Sequence, residues 1–424
     1  MTLSAAEQYL LELINRARLD PAGEAALMGI GLNDGLAVGQ ISSVAKQALA
    51  PNAMVEAAAT AHSLWMLSAD VFSHTGQGGS SPGDRITAQG YQWSTSGENV
   101  AYVASSGTMT VEGAIADLNR NLFLSAGHRA NLMTGSFREV GLGAEAGQFT
   151  TPARTWNAAM LTENFATKGS AHFLTGVAYA DSNADHFYSM GEGQANVAFS
   201  ASGGSTQTAA AGGYALALGS GTAVEVTGQS GAIAFSVTVD MSAGNVKLDL
   251  VSGSSFHTSG SVALGQGVNN VRLLGVGLLN ATGNAAANVM TGNAGANVLS
   301  GLAGNDLLSG GGGKDRLIGG GGQDSLAGGS GVGDMLRGGF GADRFVLRAG
   351  DGADRIADFS VAAGDRLQLD DALWAGQTLT ASAVIAGFGS TASGHVILNF
   401  GDGDVLHLLG VTDLAGLAGA IDFI

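Results

Sequence analysis

Between Thr282 and Phe345 the chain repeats itself every nine residues. In register the segment reads TGNAAANVM, TGNAGANVL, SGLAGNDLL, SGGGGKDRL, IGGGGQDSL, AGGSGVGDML and RGGFGADRF, with a one-residue insertion near Gly333. A large apolar residue returns at Met290, Leu299, Leu308, Leu317, Leu326, Leu336 and Phe345. Two positions before each stands Asn288, Asn297, Asp306, Asp315, Asp324, Asp334 or Asp343. So short a period excludes a helical hairpin and suits a parallel β-roll with one repeat per turn. A flexible glycine-rich linker would not hold an apolar residue at a fixed interval. The apolar side chains are expected to point inward, and each Asp toward its neighbour in the next turn. Stacked carboxylates and carbonyl oxygens make an oxygen-rich cage that suits a hard cation such as calcium. Asn288 and Asn297 lack charge, so the first turns should bind weakly.

This pattern resembles the RTX (hemolysin-type) calcium-binding repeat, GGxGxDxUx. The resemblance implies a calcium-loaded β-roll, with Asp306, Asp315, Asp324, Asp334, Asp343 and Asn297 as candidate ligands. Composition agrees: 18 Lys and Arg stand against 35 Asp and Glu, a formal charge of −17. That balance leaves no basic footprint for nucleic acid. Before metal arrives, mutual repulsion and poor apolar content should keep the acidic repeats unfolded. There is no cysteine, hence no disulfide framework. No segment is long and apolar enough to span a bilayer. The N-terminus reads as an amphipathic helix with a Ser4–Glu7 capping box and a stripe at Leu10, Leu13, Ile14 and Ala17, not as a signal peptide.

Residues 1–168 differ from the rest: helical periodicity dominates and three of the four tryptophans lie there. The spacing predicts a second helix over about 52–68, with Met54, Ala58, Ala61, Trp65 and Ser68 on one face, and a third over 111–124. Strands are expected at Glu139 and Trp156 onward, giving an α+β domain. Several phrases resemble the CAP superfamily of cysteine-rich secretory, antigen 5 and pathogenesis-related proteins: LINRARLDPAG at 13–23, AHSLWM at 61–66, SHTG at 73–76, GENVA at 97–101, GHRANLM at 127–133, FREVGLG at 137–143 and LTENFA at 161–166. The resemblance implies an α-β-α sandwich. It also implies a cleft lined by His74, Glu98 and His128, whose imidazoles could share a zinc ion. The family's second acid falls at Ser125, and a family tryptophan at Leu122. Ser125 weakens a complete acid–base set and favours binding over catalysis.

Residues 169–280 carry short β-rich runs at about ten-residue spacing, which predicts an antiparallel β-sandwich. Within it, Asp181, Asn183, Asp185, Phe187, Ser189 and Glu192 occupy positions 1, 3, 5, 7, 9 and 12 of an EF-hand-like calcium loop. His186 stands where glycine normally makes the turn, and a histidine tolerates the left-handed conformation. The roll is expected over 281–345. Residues 346–424 should cap it, and they resemble the uncleaved C-terminal region of RTX proteins exported by type I systems. Gly79–Gly83 satisfies G-x-S-x-G, but with no buried strand before it and Pro82 expected to impede a following helix, it is set aside.

The chain is therefore expected to be an extracellular, calcium-stabilised binding protein exported from a Gram-negative bacterium without N-terminal cleavage. Its extracellular ligand, whether lipid, peptide or glycan, is not specified. The alternatives are a metal-dependent hydrolase delivered by the repeats, or a surface or biofilm adhesive protein.

Overall fold

A computed structural model describes residues 3–424. The chain divides into two compact units, one comprising residues through Ala234 with Asp240–Gly253, the other Phe235–Val239 with Ser254–Ile424.

In the first unit six helices flank one sheet: α1 (Ala5–Leu19), α2 (Pro21–Leu27), α3 (Ala53–Ala69), α4 (Pro82–Ala88), α5 (Val111–Leu124) and α6 (Ala126–Leu132). The sheet orders as β1-β3-β4-β2, with β1 (Ala50–Pro51), β2 (Thr95–Ser105), β3 (Glu139–Thr150) and β4 (Thr155–Thr167). The expected capping box opens α1, Ser4 and Glu7 bonding reciprocally. Period-two alternation splits the sheet's residues between two layers. Val140, Leu142 and Leu161 pack with Leu10 and Ile14 of α1 and Ile115 and Leu118 of α5. On the other face Met160 and Ala158 meet Met66 and Leu67 of α3.

The buried face of α3 differs from the expected one. Val55, Ala58, Ala59, His62, Ser63, Met66 and Leu67 are buried, while Met54 is 47% exposed. The reason is a close approach of helix to strand: a Cβ on Gly143 would lie 2.4 Å from the Ala59 carbonyl carbon. Small residues therefore face β3, and Ser63 Oγ donates to the Gly143 carbonyl at 2.7 Å. Pro82 likewise behaves otherwise than expected: it opens α4 at its first position behind an N-capping Ser81. Proline is favoured there because that N–H has no helical partner anyway.

After β5 (His172–Tyr179) the pairing is mixed, not purely antiparallel. β5 runs antiparallel to Gly213–Leu218 and parallel to Val246–Val251. A second set, Ala198–Ala201 with its partners Gly204–Gln207 and Val224–Ser230, is antiparallel. The two sets face each other through Phe199 stacked on Tyr214 at 4.0 Å. Buried Lys247 joins α1 to this layer, its Nζ 2.7 Å from Glu12 Oε2 and paired also with Asp249.

The second unit is built on a parallel β-roll, with antiparallel pairing of Gly389–Ala392, His395–Gly401 and Asp404–Leu408 near its C-terminus. Met290 pairs with Leu308, Leu308 with Leu326, and Leu326 with Phe345 on one face; Leu299, Leu317 and Leu336 stack on the other. All seven repeat apolar residues are at most 2% exposed. Partners are two repeats apart, so each nonapeptide makes half a turn rather than a whole one. One short strand and one glycine turn reverse the chain only once, and closure needs two. Parallel pairing also extends past the expected 281–345 limits: Ser255–Thr258 pairs with Asn270–Leu273, and Arg344–Leu347 with Arg366–Leu369. Outside the repeats, apolar residues such as Phe256 and Leu367 fill the same inward positions without keeping the nine-residue period.

Candidate functional site

The aspartates of the roll form ladders. Oδ1 of each accepts from the backbone N–H of the residue one turn earlier: Asp306 from Asn288 at 2.8 Å, Asp324 from Asp306 at 2.9 Å, Asp343 from Asp324 at 2.9 Å. The other face repeats this, Asp315 accepting from Asn297 and Asp334 from Asp315, each at 2.7 Å. Oδ2 of Asp306, Asp315, Asp324, Asp334 and Asp343 is buried and has no partner. Buried acceptors without partners are rare, because each forfeits its hydration. Burial pushes the Asp315 and Asp343 carboxyls up to about 6.

Each orphan oxygen lies where a Cβ on a nearby turn glycine (Gly301, Gly310, Gly319, Gly328 or Gly338) would meet it, and at the first three that position also meets a glycine carbonyl oxygen. A Cβ on Gly319 would sit 2.2 Å from Asp324 Oδ2 and 2.6 Å from the Gly338 carbonyl oxygen. Only glycine leaves that space open, and what surrounds it is carboxylate and carbonyl oxygen. Such an all-oxygen donor set fits calcium. Asn297, grouped with the aspartates from the sequence, is different. Its Oδ1 accepts from Asn293 N at 2.8 Å and its Nδ2 donates to the Leu279 carbonyl at 2.8 Å, leaving no orphan. Asn288 is satisfied likewise, its Nδ2 donating to the Asn269 carbonyl at 3.0 Å. An amide supplies the missing donor internally where a carboxylate leaves a vacant acceptor.

The ladders continue into residues the repeat pattern does not reach. Asp334 N donates to Asp354 Oδ1 and Asp343 N to Asp365 Oδ1, both at 3.0 Å. The signal was present: Asp354 precedes Ile356, and Asp365 precedes Leu367, by the same two residues as in the repeats. Loss of the nine-residue period hid it.

Asp181–Glu192 forms a closed loop with His186 at φ 61°, in the left-handed region, as does Ala184 at 58°. Glu192 closes it, accepting from Ser182 N and Ser189 N at 2.9 Å each. Asp185 N donates to Asn183 Oδ1 at 3.1 Å, and Asn183 Nδ2 reaches Ser189 Oγ at 3.4 Å. Asp181 Oδ2 accepts from His186 N at 3.2 Å, while its Oδ1 is buried and unpartnered. Phe187 anchors the loop, edge-on to Tyr9 at 6.1 Å and beneath the Arg16 guanidinium at 5.0 Å.

In the α/β domain, His74 Nδ1 lies 2.9 Å from Glu98 Oε1. The His74 ring is half-exposed, whereas the Glu98 side chain is 1% exposed. Arg85, to which no sequence signal pointed, pairs with Glu98 Oε2 and donates to the His74 and Ser80 carbonyls at 3.1 and 2.9 Å. His128 is held below its ordinary pKa by burial and by nearby His74, and its Nδ1 has no partner. Ser125 begins α6, its side chain making no capping bond. Among the described residues no group of three or more His, Cys, Asp or Glu is arranged to hold a metal. The expected zinc site at His74 and His128 is not supported: Glu98, its third candidate ligand, has one oxygen on His74 and the other on Arg85. The carboxylate serves as an ion-pair partner, not a free ligand. Opposite Asn99 on β4 lies Glu163, also unforeseen, fully buried and pushed up to about 7 by burial while Asn99 Nδ2 donates to it at 3.0 Å.

Comparison with known proteins agrees with two of these regions. The cysteine-rich secretory protein family (CAP) matches residues 11–151, and the RTX calcium-binding nonapeptide repeat matches 282–317, 300–333 and 309–345. No curated protein matches the chain. Among solved structures, an extracellular protein containing an SCP domain from Bacillus anthracis str. Ames matches at 25% identity and TM-score 0.22, over 29% of this chain and 35% of that one. An outer surface protein from Borrelia burgdorferi matches at 15% and 0.21, over 28% of this chain and 78% of its own. Extracellular lipase LipA from Serratia marcescens matches at 14% and 0.18, over 36% and 40%. This chain thus spans about a third of the length of the Bacillus protein. No helix among the described residues is long and apolar enough to cross a membrane. The chain carries a CAP domain over residues 11–151 and RTX calcium-binding repeats within 282–345, a combination that fits a secreted calcium-binding protein.

Proposed function

We propose that this is an extracellular calcium-binding protein whose roll folds on calcium after type I export from a Gram-negative cell, delivering a CAP domain that binds a ligand rather than turning one over. The observation that carries the reading is the set of five buried Oδ2 atoms without partners, on Asp306, Asp315, Asp324, Asp334 and Asp343. Calcium held there by the carboxylates and the facing glycine carbonyls would satisfy every orphan at once. Asp354 and Asp365 extend the same ladder. The loop of Asp181, Asn183, Asp185, Phe187, Ser189 and Glu192 forms a separate calcium site, supported by the unpartnered Asp181 Oδ1.

Export follows from the same physics. At low cytosolic calcium the acidic repeats stay unfolded and threadable, and external calcium then adds its binding free energy to folding. In the CAP domain, the engagement of both Glu98 oxygens favours a binding cleft at His74 and His128 over a hydrolytic one. Calorimetric titration of the full chain with calcium tests the reading. Binding that saturates, and that Asp306→Ala and Asp324→Ala each weaken at least tenfold, is expected. Binding unaltered by both substitutions would place calcium elsewhere and sink the proposal.

A further inference from the structure

Beside the His74–Glu98 pair, α3, α4 and the turn between them line an open cavity of about 450 Å³. That falls within the range of small-ligand sites. Three alanines of the two helices line its apolar part, with Trp65 beside them. His62 Nε2 is 2.9 Å from the Ser73 carbonyl oxygen. A carbonyl only accepts, so Nε2 carries the ring proton and Nδ1 is a bare acceptor. His62 is 1% exposed, and that Nδ1 has no partner. Arg85 faces the same cavity, and its Nε, a donor, is also buried without a partner although its other two nitrogens are engaged. The two side chains come together near Gly76, where a Cβ would lie 3.3 Å from His62 Nδ1 and 2.8 Å from Arg85 Nη1, the nitrogen that bonds the His74 and Ser80 carbonyls.

An orphan acceptor and an orphan donor on two side chains that line one cavity suit a ligand that both donates and accepts. A hydroxyl does this. Trp65 stacks on the His62 ring at 5.5 Å and 12°, giving a flat aromatic wall. Gln77, Asp84 and Gln89 add amide and carboxylate groups suited to further hydroxyls. An acyl chain would strand these polar groups without partners. A phosphate would face the Asp84 carboxylate. We propose that this cavity is a carbohydrate site, taking a neutral sugar unit with its apolar face on Trp65 and its hydroxyls on His62, Arg85, Asp84 and the two glutamines.

The test is saturation-transfer NMR on the full chain in calcium, using the methyl glycosides of glucose, galactose, mannose and N-acetylglucosamine at about 10 mM, enough to populate a millimolar site. At least one glycoside should receive saturation, and the signal should fall at least tenfold in Ala61→Trp. Ala61 is an exposed cavity-lining residue, so filling the cavity from there leaves the core intact. Trp65→Ala should lose the signal equally, with unchanged circular dichroism. Absence of transfer to all four glycosides overturns the proposal, and so does transfer undiminished in Ala61→Trp.

Discussion

Asp324→Asn separates the two roles of one carboxylate. Oδ1 accepts from Asp306 N at 2.9 Å, and asparagine keeps that acceptor. Oδ2, buried and unpartnered, becomes an NH₂. Asn297 shows that the roll accommodates such an amide, since its Nδ2 donates to the Leu279 carbonyl at 2.8 Å. Without calcium the roll is unfolded on the proposed reading, so the chelator arm reports only the part of the chain that folds without the ion and should not change on substitution. With calcium the substitution removes a charged oxygen from the proposed site between turns. At a calcium concentration one hundred times the dissociation constant, losing one site removes about 2.7 kcal/mol. For a unit of this size that is a fall in melting temperature of roughly 5–10 °C. Scanning calorimetry of wild type and variant, in calcium and in chelator, reads both arms. The expected result is a loss confined to the calcium arm. An equal loss in both buffers would make Asp324 a purely structural acceptor, and no loss in either would remove it from any cation site.

Gly319→Ala should weaken calcium-dependent folding more than an ordinary small overpacking of about 1–3 kcal/mol, because its Cβ would fall 2.2 Å from Asp324 Oδ2 and 2.6 Å from the Gly338 carbonyl; a calcium titration followed by circular dichroism measures it. Glu163 takes up a proton more readily folded than unfolded, its carboxyl raised from 4.5 to about 7, so CAP-domain stability should fall as pH rises through that window and level off above it. The penalty is about 3 kcal/mol at most, and Glu163→Gln should flatten the profile in denaturant titrations between those limits. Lys247→Met leaves Glu12 and Asp249 buried and unpaired, which should lower stability by about 3–5 kcal/mol; adding Glu12→Gln and Asp249→Asn should recover much of that.

The parts of the fold legible in the sequence are those where one local rule acts alone. Ser4 and Glu7 cap α1 as read, and the seven repeat residues from Met290 to Phe345 all point inward, because capping chemistry and strict periodicity need no knowledge of distant partners. Half-turn repeats were not legible: the pairing of Leu308 with Leu326 is set by where the chain reverses, which nine-residue spacing does not state. The face of α3 was misread because Gly143 draws the helix in over small residues, a long-range approach invisible in helical periodicity. In the cleft, His74 and Glu98 are adjacent, as the family resemblance implied, but Arg85 claims the carboxylate from a helix whose register nothing local announces. Asp354 and Asp365 join the ladders through spacings of twenty and twenty-two residues, beyond any repeat filter.

That calcium folds the roll while the CAP domain folds without it is tested most directly by segment-resolved amide hydrogen exchange on the full chain, in excess chelator and in saturating calcium. Peptides from residues 3–167 should be protected alike in both buffers. Peptides from 282–369, which contain the orphan-bearing aspartates, should exchange almost freely in chelator and become protected in calcium. Full protection of 282–369 in chelator would contradict calcium-driven folding.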